Sequence, residues 1–328
     1  MLGLDIGSKY IKICQIEKRA GRLYDIYSAV EKVPVSESDS NYEDALARKI
    51  KSMFKKNNFS DTEVASCISD PQILIRKLEM PMMPREELEG AVELEAQRLI
   101  YSDLSSMDTD FQILSDEESA KNKVLFVAVP EEMVNSRIRI IQKAGFEPSI
   151  IDADNLAAAN YYLENEPDSA DRKIMILNIG HKITNLTVLY EGNFGYSKSL
   201  SFGGDNITKE IEQEFKIPYV RAEEIKEDPA IWKESGLNIK NVLRKTTPDL
   251  LESIYRAIEY CRSKKMFRNL DKILITGGTS YLKGLDAFIQ EILGVKIEVW
   301  NPLMNIEMCS EKELGQFMSS SIGMAVRK

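Results

Sequence analysis

Histidine is almost absent from this chain of 328 residues, where His181 stands alone. A single imidazole removes most triad and histidine-based metal chemistries from consideration, and His181 itself reads as a turn residue rather than a catalyst. Cysteine is also sparse. Cys14, Cys67, Cys261 and Cys309 are scattered without metal-ligand spacing, and Cys14 sits inside a strand pattern. Buried reduced thiols are expected rather than a zinc site or a disulfide framework. Positive charge is outnumbered, with 43 Lys and Arg against 52 Asp and Glu for a net charge of −9. A chain with that balance and no basic stripe is not expected to bind nucleic acid. No apolar run approaches the roughly 20 residues needed to span a bilayer, so no direct membrane insertion is expected. Low-complexity tracts are missing, and the N-terminus enters a strand at once, so no signal peptide is expected.

What remains is ordinary: 29% charged and 43% hydrophobic residues, the balance of a soluble globular protein. The length is too great for one simple core and comfortable for two lobes. Three strand and glycine-turn segments carry most of the information. Gly3-Leu4-Asp5-Ile6-Gly7-Ser8 is followed by a second strand over residues 11–16 that contains Lys12. Ile176-Leu177-Asn178-Ile179-Gly180 runs on through Thr184 to Thr187-Val188-Leu189. Ile273-Leu274-Ile275-Thr276-Gly277-Gly278-Thr279 leads into a helix. Each is a short apolar run followed by glycine with a small hydroxyl residue, where backbone can approach phosphate closely. Their repetition about half a chain apart predicts an α/β, actin-like (ASKHA) ATPase fold, two similar lobes closing on one nucleotide.

Strands are expected over residues 2–6, 11–17 and 22–29, with a turn at Ala20-Gly21, then a polar loop over 34–40. Leu46, Ile50, Met53 and Phe54 share one helical face. Residues 72–147 read as an inserted β-α-β-β-α subdomain, whose second helix stops at Gly145. Lobe I is therefore expected over 1–170 and lobe II over 171–312, with a polar linker at 165–172. A helical subdomain spans 205–270, interrupted by Pro218 and Pro229. A terminal helix, 315–326 within 313–328, is expected to return to lobe I. In the first inserted helix, over 84–100, Glu95 falls between Val92 and Leu99, near the centre of the apolar stripe. Burial there would require a partner, either an internal one such as Arg98, Arg76 or a backbone amide, or a joint where a docked chain supplies hydrogen bonds.

In the cleft so predicted, Asp5 is the candidate magnesium ligand, acting through water, and the backbone amides of Gly7 and Ser8 face phosphate with Lys12 beside them. Asn178, Gly180 and Thr184 mark the second phosphate segment. Its strand-end residue is an amide, which neither acts as a base nor carries charge toward a metal, and His181 and Lys182 replace small turn residues. Phosphoryl transfer depends on positioning and metal electrostatics, so hydrolysis is expected to be weak or absent. Glu223 and Lys226, one helical turn apart, suit ribose hydroxyls and the base edge. Gly277, Gly278 and Thr279 offer space and N–H donors for the base, as do Gly203 and Gly204 before the next helix. Each motif also has a plainer reading, as a hairpin turn, a surface ion pair or a strand–turn–helix junction.

Taken in order, these segments resemble the PilM family, cytoplasmic actin-like proteins of type IV pilus assembly, along essentially the whole chain. The resemblance rests on the D-I-G-S segment with Lys12, on residues 75–81, and on Leu94-Glu95-Ala96-Gln97. It continues through Ala128-Val129, Ala144-Gly145-Phe146-Glu147-Pro148, Gly203-Gly204-Asp205-Asn206-Ile207-Thr208, residues 222–226 and Thr276-Gly277-Gly278. It implies that the insertion corresponds to the extra subdomain of the division protein FtsA, and that ATP and Mg2+ occupy the cleft. It further implies that the N-terminal cytoplasmic tail of a PilN-like inner-membrane protein docks between the insertion and lobe I. That partner would recruit the chain from the cytoplasm to the inner face of the membrane, where other pilus-machinery ATPases are further partners. Asn178, His181 and Lys182 depart from the family pattern, as does Tyr101-Ser102-Asp103, where an Ile-Pro is usual. An FtsA-like division tether would want an amphipathic helix after the fold, which is not seen before Lys328. An actin-fold small-molecule kinase would want an acidic base where Asn178 stands.

Overall fold

A computed structural model describes residues 1–19, 22–35, 42–57, 59–99, 104–114, 121–166, 169–306, 309 and 312–327. The Ala20-Gly21 turn, Tyr101-Ser102-Asp103 and parts of the polar segments 34–40 and 165–172 lie outside them. Two five-stranded sheets of identical topology dominate the molecule. The first runs β3 (Arg22–Lys32), β2 (Tyr10–Arg19), β1 (Leu2–Ile6), β4 (Glu63–Ile68) and β8 (Glu147–Ala153). β1, β2 and β3 form an antiparallel meander, and β4 and β8 join it in parallel. The second repeats the plan with β11 (Asn193–Leu200), β10 (Thr184–Tyr190), β9 (Lys173–Ile179), β12 (Lys272–Thr276) and β13 (Ile297–Val299). This is the actin-like plan that the glycine segments predicted, with each turn at the end of the first strand of its sheet or of a parallel neighbour.

The crossovers supply the helices. α1 (Tyr42–Lys56) buries Leu46, Ala47, Ile50 and Met53 against the first sheet. α4 (Asp154–Asn165) follows β8 directly and carries the chain toward the second sheet. The helical section of the second half divides into α5 (Gly204–Phe215), α6 (Tyr219–Glu227), α7 (Pro229–Ser235), α8 (Ile239–Thr246) and α9 (Pro248–Ser263). Pro218 is the residue before α6, and Pro229 and Pro248 open α7 and α9, where a missing N–H costs nothing. α10 (Leu285–Leu293) links β12 to β13.

Between β4 and β8 the chain builds a three-stranded antiparallel sheet in the order β5 (Leu74–Pro81), β7 (Lys121–Pro130), β6 (Met107–Ile113). α2 (Arg85–Leu99) covers one face through Leu88, Val92 and Ala96, which pack on Leu78, Val124 and Phe126. α3 (Glu131–Ala144) starts where β7 ends and leaves the sheet, burying Ile140, Ile141 and Ala144 with Leu46 and Ile50 of α1. It stops at Gly145, whose φ of 91° is the left-handed conformation that closes a helix.

Glu95 is not buried in the α2 stripe. Its side chain is 36% exposed and pairs with Arg98 at 3.6 Å, itself 79% exposed. Spacing alone misplaced it: Leu88, Val92 and Ala96 take the buried positions against the sheet, Ala91 packs at their edge, and Glu95 falls outside that stripe. An exposed pair of this kind contributes little. Glu95→Ala is expected to change unfolding free energy by less than about 0.5 kcal/mol in urea titration. A loss of several kcal/mol would show that the carboxylate has a buried partner.

The last segment also differs from the continuous helix expected over 315–326. Lys312–Phe317 forms a 3-10 turn, and α11 (Ser319–Val326) begins after it. The Gln316 carbonyl already accepts the Gly277 N–H at 2.7 Å and the Thr276 hydroxyl at 3.1 Å, so it cannot also serve an α-helical ladder. α11 then lies across β1 and α4, with Ser319, Ser320 and Ser321 fully buried. Small residues let the backbones meet. A Cβ on Gly3 would stand 1.8 Å from the Ser321 carbonyl oxygen, and one on Gly323 would stand 2.1 Å from that of Ala157.

Candidate functional site

The two sheets face each other across a cleft of about 610 Å³. Its lining includes Asp5, Gly7, Ser8 and Lys12 from the β1–β2 hairpin, Asn178 and Gly180 from the β9–β10 hairpin, Glu223 and Lys226 from α6, and Gly277, Gly278 and Thr279 after β12. Thr184, Gly203 and Gly204 are not in that lining. Thr184 is fully buried with its hydroxyl on the Phe202 carbonyl at 2.8 Å. Gly203 and Gly204 form the start of α5, where the Gly204 N–H donates to the Gly180 carbonyl at 3.0 Å. The Thr279 hydroxyl donates to the same carbonyl at 2.7 Å. Several amides read as phosphate donors are thus already used internally, since the Gly7 N–H donates to the Tyr10 carbonyl at 3.0 Å. Gly277 has a φ of 88°, and a Cβ there would stand 2.5 Å from Asn178 Oδ1, so glycine is required by the approach of β9 to β12.

At one end of the cleft lies a group of ionic and amide side chains. Lys12 Nζ donates to Asp5 Oδ2 at 2.5 Å, and both residues are about 15% exposed or less. Burial works against the Lys12 charge, yet attraction to Asp5 raises its pKa above the ordinary value. Asp154, the first residue of α4, is 4% exposed. Its Oδ2 accepts Asn178 Nδ2 at 2.9 Å and Asn185 Nδ2, and its Oδ1 accepts the Cys67 thiol at 3.6 Å. Burial pushes the Asp154 carboxyl up, and repulsion from Asp5 adds to it. Asn178 also donates to Ser320 Oγ at 3.0 Å and Asn185 to Ser69 Oγ at 2.8 Å. The second-strand amide is therefore a donor that fixes a neighbouring acid, a role an aspartate there could not fill.

The other end is built around Glu223. Lys226 Nζ donates to Glu223 Oε2 at 2.8 Å, to Thr208 Oγ1 at 2.8 Å and to the Gly204 carbonyl at 3.2 Å. Lys9, from the β1–β2 hairpin of the opposite lobe, pairs with Glu223 and, at 2.6 Å, with Glu227. Burial would raise the Glu223 carboxyl, but Lys226, Lys9 and Thr208 outweigh it and bring it down to about 2. Lys226, desolvated in this pocket, has its pKa lowered. Three rings stand beside this group. Phe317 stacks on Tyr281 with centroids 4.6 Å apart and meets Tyr10 edge-on at 5.5 Å. A Cβ on Gly278 would stand 2.9 Å from the Phe317 ring, so that ring occupies part of the space the glycine leaves. His181 Nε2 lies 3.3 Å from Tyr219 Oη and 3.7 Å from Asp205, and burial lowers its pKa.

Sequence spacing did not point to Asp154, Asn185, Lys9 or the three rings, nor to Arg137 of α3, which also lines the cleft. Asp154 carried one usable signal, an acid directly after a strand and at the start of a helix. Lys9 lies beside Ser8, but its partners are on α6 and only tertiary structure joins them.

The family model for the type IV pilus assembly protein PilM matches residues 3–328. The chain belongs to the PilM family. Within solved structures, the PilM-PilN type IV pilus biogenesis complex contains a chain that superposes with a TM-score of 0.85 at 25% identity, covering 99% of this chain and 97% of that one. MreB5 of Spiroplasma citri bound to ADP shares the fold, with a TM-score of 0.53 at 12% identity over 98% of this chain and 94% of that one. Cell division protein FtsA of Borreliella burgdorferi is 23% identical over 212 residues, 58% of this chain and 51% of its own length. This PilM-family chain spans about half the length of the curated relatives it matches. No helix among the described residues is long and apolar enough to cross a membrane.

Proposed function

We propose that the chain is an ATP-binding adaptor of type IV pilus assembly, which docks the N-terminal cytoplasmic segment of a PilN-like inner-membrane protein. The observation that carries this reading is the near-complete superposition on a chain of the PilM-PilN complex. Docking falls to the groove between the three-stranded sheet and the first lobe, and the partner holds the chain at the inner face of the membrane. The polar cleft supports the nucleotide part. Glu223 and Lys226 would meet the ribose, Gly278, Thr279 and the nearby rings the base, and Lys12 with the Ser8 amide the phosphates, while Gly7 and Gly180, whose own amides are engaged, would let the backbone approach.

Magnesium fits the donor set. Among the described residues no group of three or more acidic, cysteine or histidine side chains could hold a metal ion, and Mg2+ typically takes one or two carboxylates with water and substrate phosphates. Asp5 and Asp154 would hold it, through water. Bound there, it would neutralise phosphate charge. Asp154 is restrained by two amides, and Asn178 carries no charge, which favours retention of ATP over rapid hydrolysis.

The test is calorimetric titration of the full chain with a synthetic peptide of the partner's cytoplasmic N-terminus, with and without Mg-ATP. Saturable binding at micromolar concentration or tighter is expected. If nucleotide and peptide are coupled, linkage makes the effect reciprocal, on the order of 1–3 kcal/mol. A folded protein that takes up no peptide in either condition would sink the docking reading.

A further inference from the structure

α3 contributes one side chain to the cleft, Arg137. This helix begins at the end of β7, in the segment that interrupts the first lobe, yet it lies against α1 and delivers a guanidinium to the cleft's ionic end. Among the described residues Arg137 has one hydrogen bond, from Nη1 to Ser66 Oγ at 2.8 Å, and no ion pair at contact distance. Ser66 is itself fully buried and donates to the Leu4 carbonyl, so the anchor is fixed. Asp5 and Asp154 lie within electrostatic reach, and burial lowers the arginine pKa without a carboxylate in contact to offset it. A half-buried guanidinium at the wall of the cleft, with most of its five donors unengaged by protein, is placed to receive an anion.

The cleft has a direction. Glu223, Lys226, Thr279 and the stacked rings stand at one end, and Asp154, Asn185 and Arg137 at the other. The two hairpins join these groups. The β1–β2 hairpin pairs Lys9 with Glu223 and sets Asp5 near Asp154, and the β9–β10 hairpin holds Thr279 through the Gly180 carbonyl and Asp154 through Asn178. A nucleotide with its base among the rings runs past the turns and presents its terminal phosphate toward Arg137. We propose that Arg137 is a ligand of the terminal phosphate, so that the helix leaving the three-stranded sheet distinguishes nucleoside triphosphate from diphosphate. A planar guanidinium suits this task, because two of its donors can meet two oxygens of one phosphate. The proposal rests on the nucleotide reading given above.

The test uses the full chain with Mg-ATP and with Mg-ADP, titrated by calorimetry for the parent, Arg137→Gln and Arg137→Lys. The parent is expected to prefer ATP. Loss of one charge-assisted contact should weaken ATP about tenfold in Arg137→Gln and leave ADP within about twofold. Arg137→Lys keeps the charge without the fork and should fall between the two. Urea unfolding of each variant verifies that the fold is intact, and Arg137→Lys serves if the glutamine variant does not fold. Equal losses for ATP and ADP, or an unchanged preference in both folded variants, would overturn the arginine assignment alone. A parent protein that binds neither nucleotide would overturn the nucleotide reading and this proposal with it.

Discussion

Gly3→Ala is expected to destabilise the protein by about 3 kcal/mol or more, although the change adds a single methyl group. The new Cβ would stand 1.8 Å from the Ser321 carbonyl oxygen and 2.7 Å from the Ala325 amide nitrogen. Both are backbone atoms of α11, so no side-chain rotation relieves the overlap. Either α11 lifts from β1, exposing Cys14, Ile322 and Met324, or the strand leaves its register with β2 and β4. Gly323→Ala attacks the same junction from the other side, through the Ala157 carbonyl at 2.1 Å. Gly90→Ala is the matched control. It lies in the exposed interior of α2 with nothing within 4 Å of a new Cβ. It should stabilise by roughly 0.5–1 kcal/mol through helix propensity. Urea midpoints for the three variants decide the matter. Parental stability in Gly3→Ala would mean that α11 does not lie on β1.

Lys12→Ala should cost nearly as much, about 3 kcal/mol, for an electrostatic reason. Among the described residues Lys12 is the one cation in contact with Asp5, and its removal leaves two partly or fully buried carboxylates, Asp5 and Asp154, close enough to repel. Removing one partner of a buried pair costs far more than removing both. Asp5→Asn in the Lys12→Ala background should therefore recover most of the loss. The pH dependence carries the same signature. A carboxyl whose folded-state pKa is raised takes up a proton more readily when folded. Its stabilising effect is complete below its ordinary value of 3.8 and is lost as pH rises through the raised value. Asp154 is of this kind, and losing the Lys12 charge raises it further. The gap in melting temperature between variant and parent should narrow as pH falls from neutrality toward the ordinary carboxyl value of 3.8. A constant gap, or a double variant no better than the single one, would show that Lys12 acts through packing of its stem.

The fold was legible because its signals are local. A short apolar run in β1 and in β9, and a glycine directly after each, predict the same hairpin twice, and a twofold repeat of that unit has few architectures open to it. The stop at Gly145 and the helix starts around Pro218 and Pro229 are likewise fixed by residues a turn away. What failed depended on distant groups. The terminal helix breaks near Gln316 because a carbonyl is claimed by Gly277 and Thr276, forty residues earlier in the chain. Glu95 stays outside the core because the sheet takes Leu88, Val92 and Ala96 instead, a choice that the helix's own sequence cannot report. In the cleft, spacing located the turn residues but not Asp154, Asn185 or Arg137, whose shared neighbourhood exists only when β4, α3, α4 and β10 converge. Asn178, seen in the sequence alone, stands where an acid is expected. Its amide instead orients an acid from another element, a relation that no single segment displays.

The position of α11 sets the order in which this molecule can become complete. The first sheet is synthesised early, but the helix that seals β1 and α4 is made only after all of the second sheet. Until then the face of β1 that carries Gly3 has no cover of its own. The first lobe therefore cannot reach its final packing as an independent unit before α11 is made, and closure must wait for a contact between β1 and α11, segments far apart in the sequence. Such long-range closure slows folding and leaves apolar strand surface accessible in the interval.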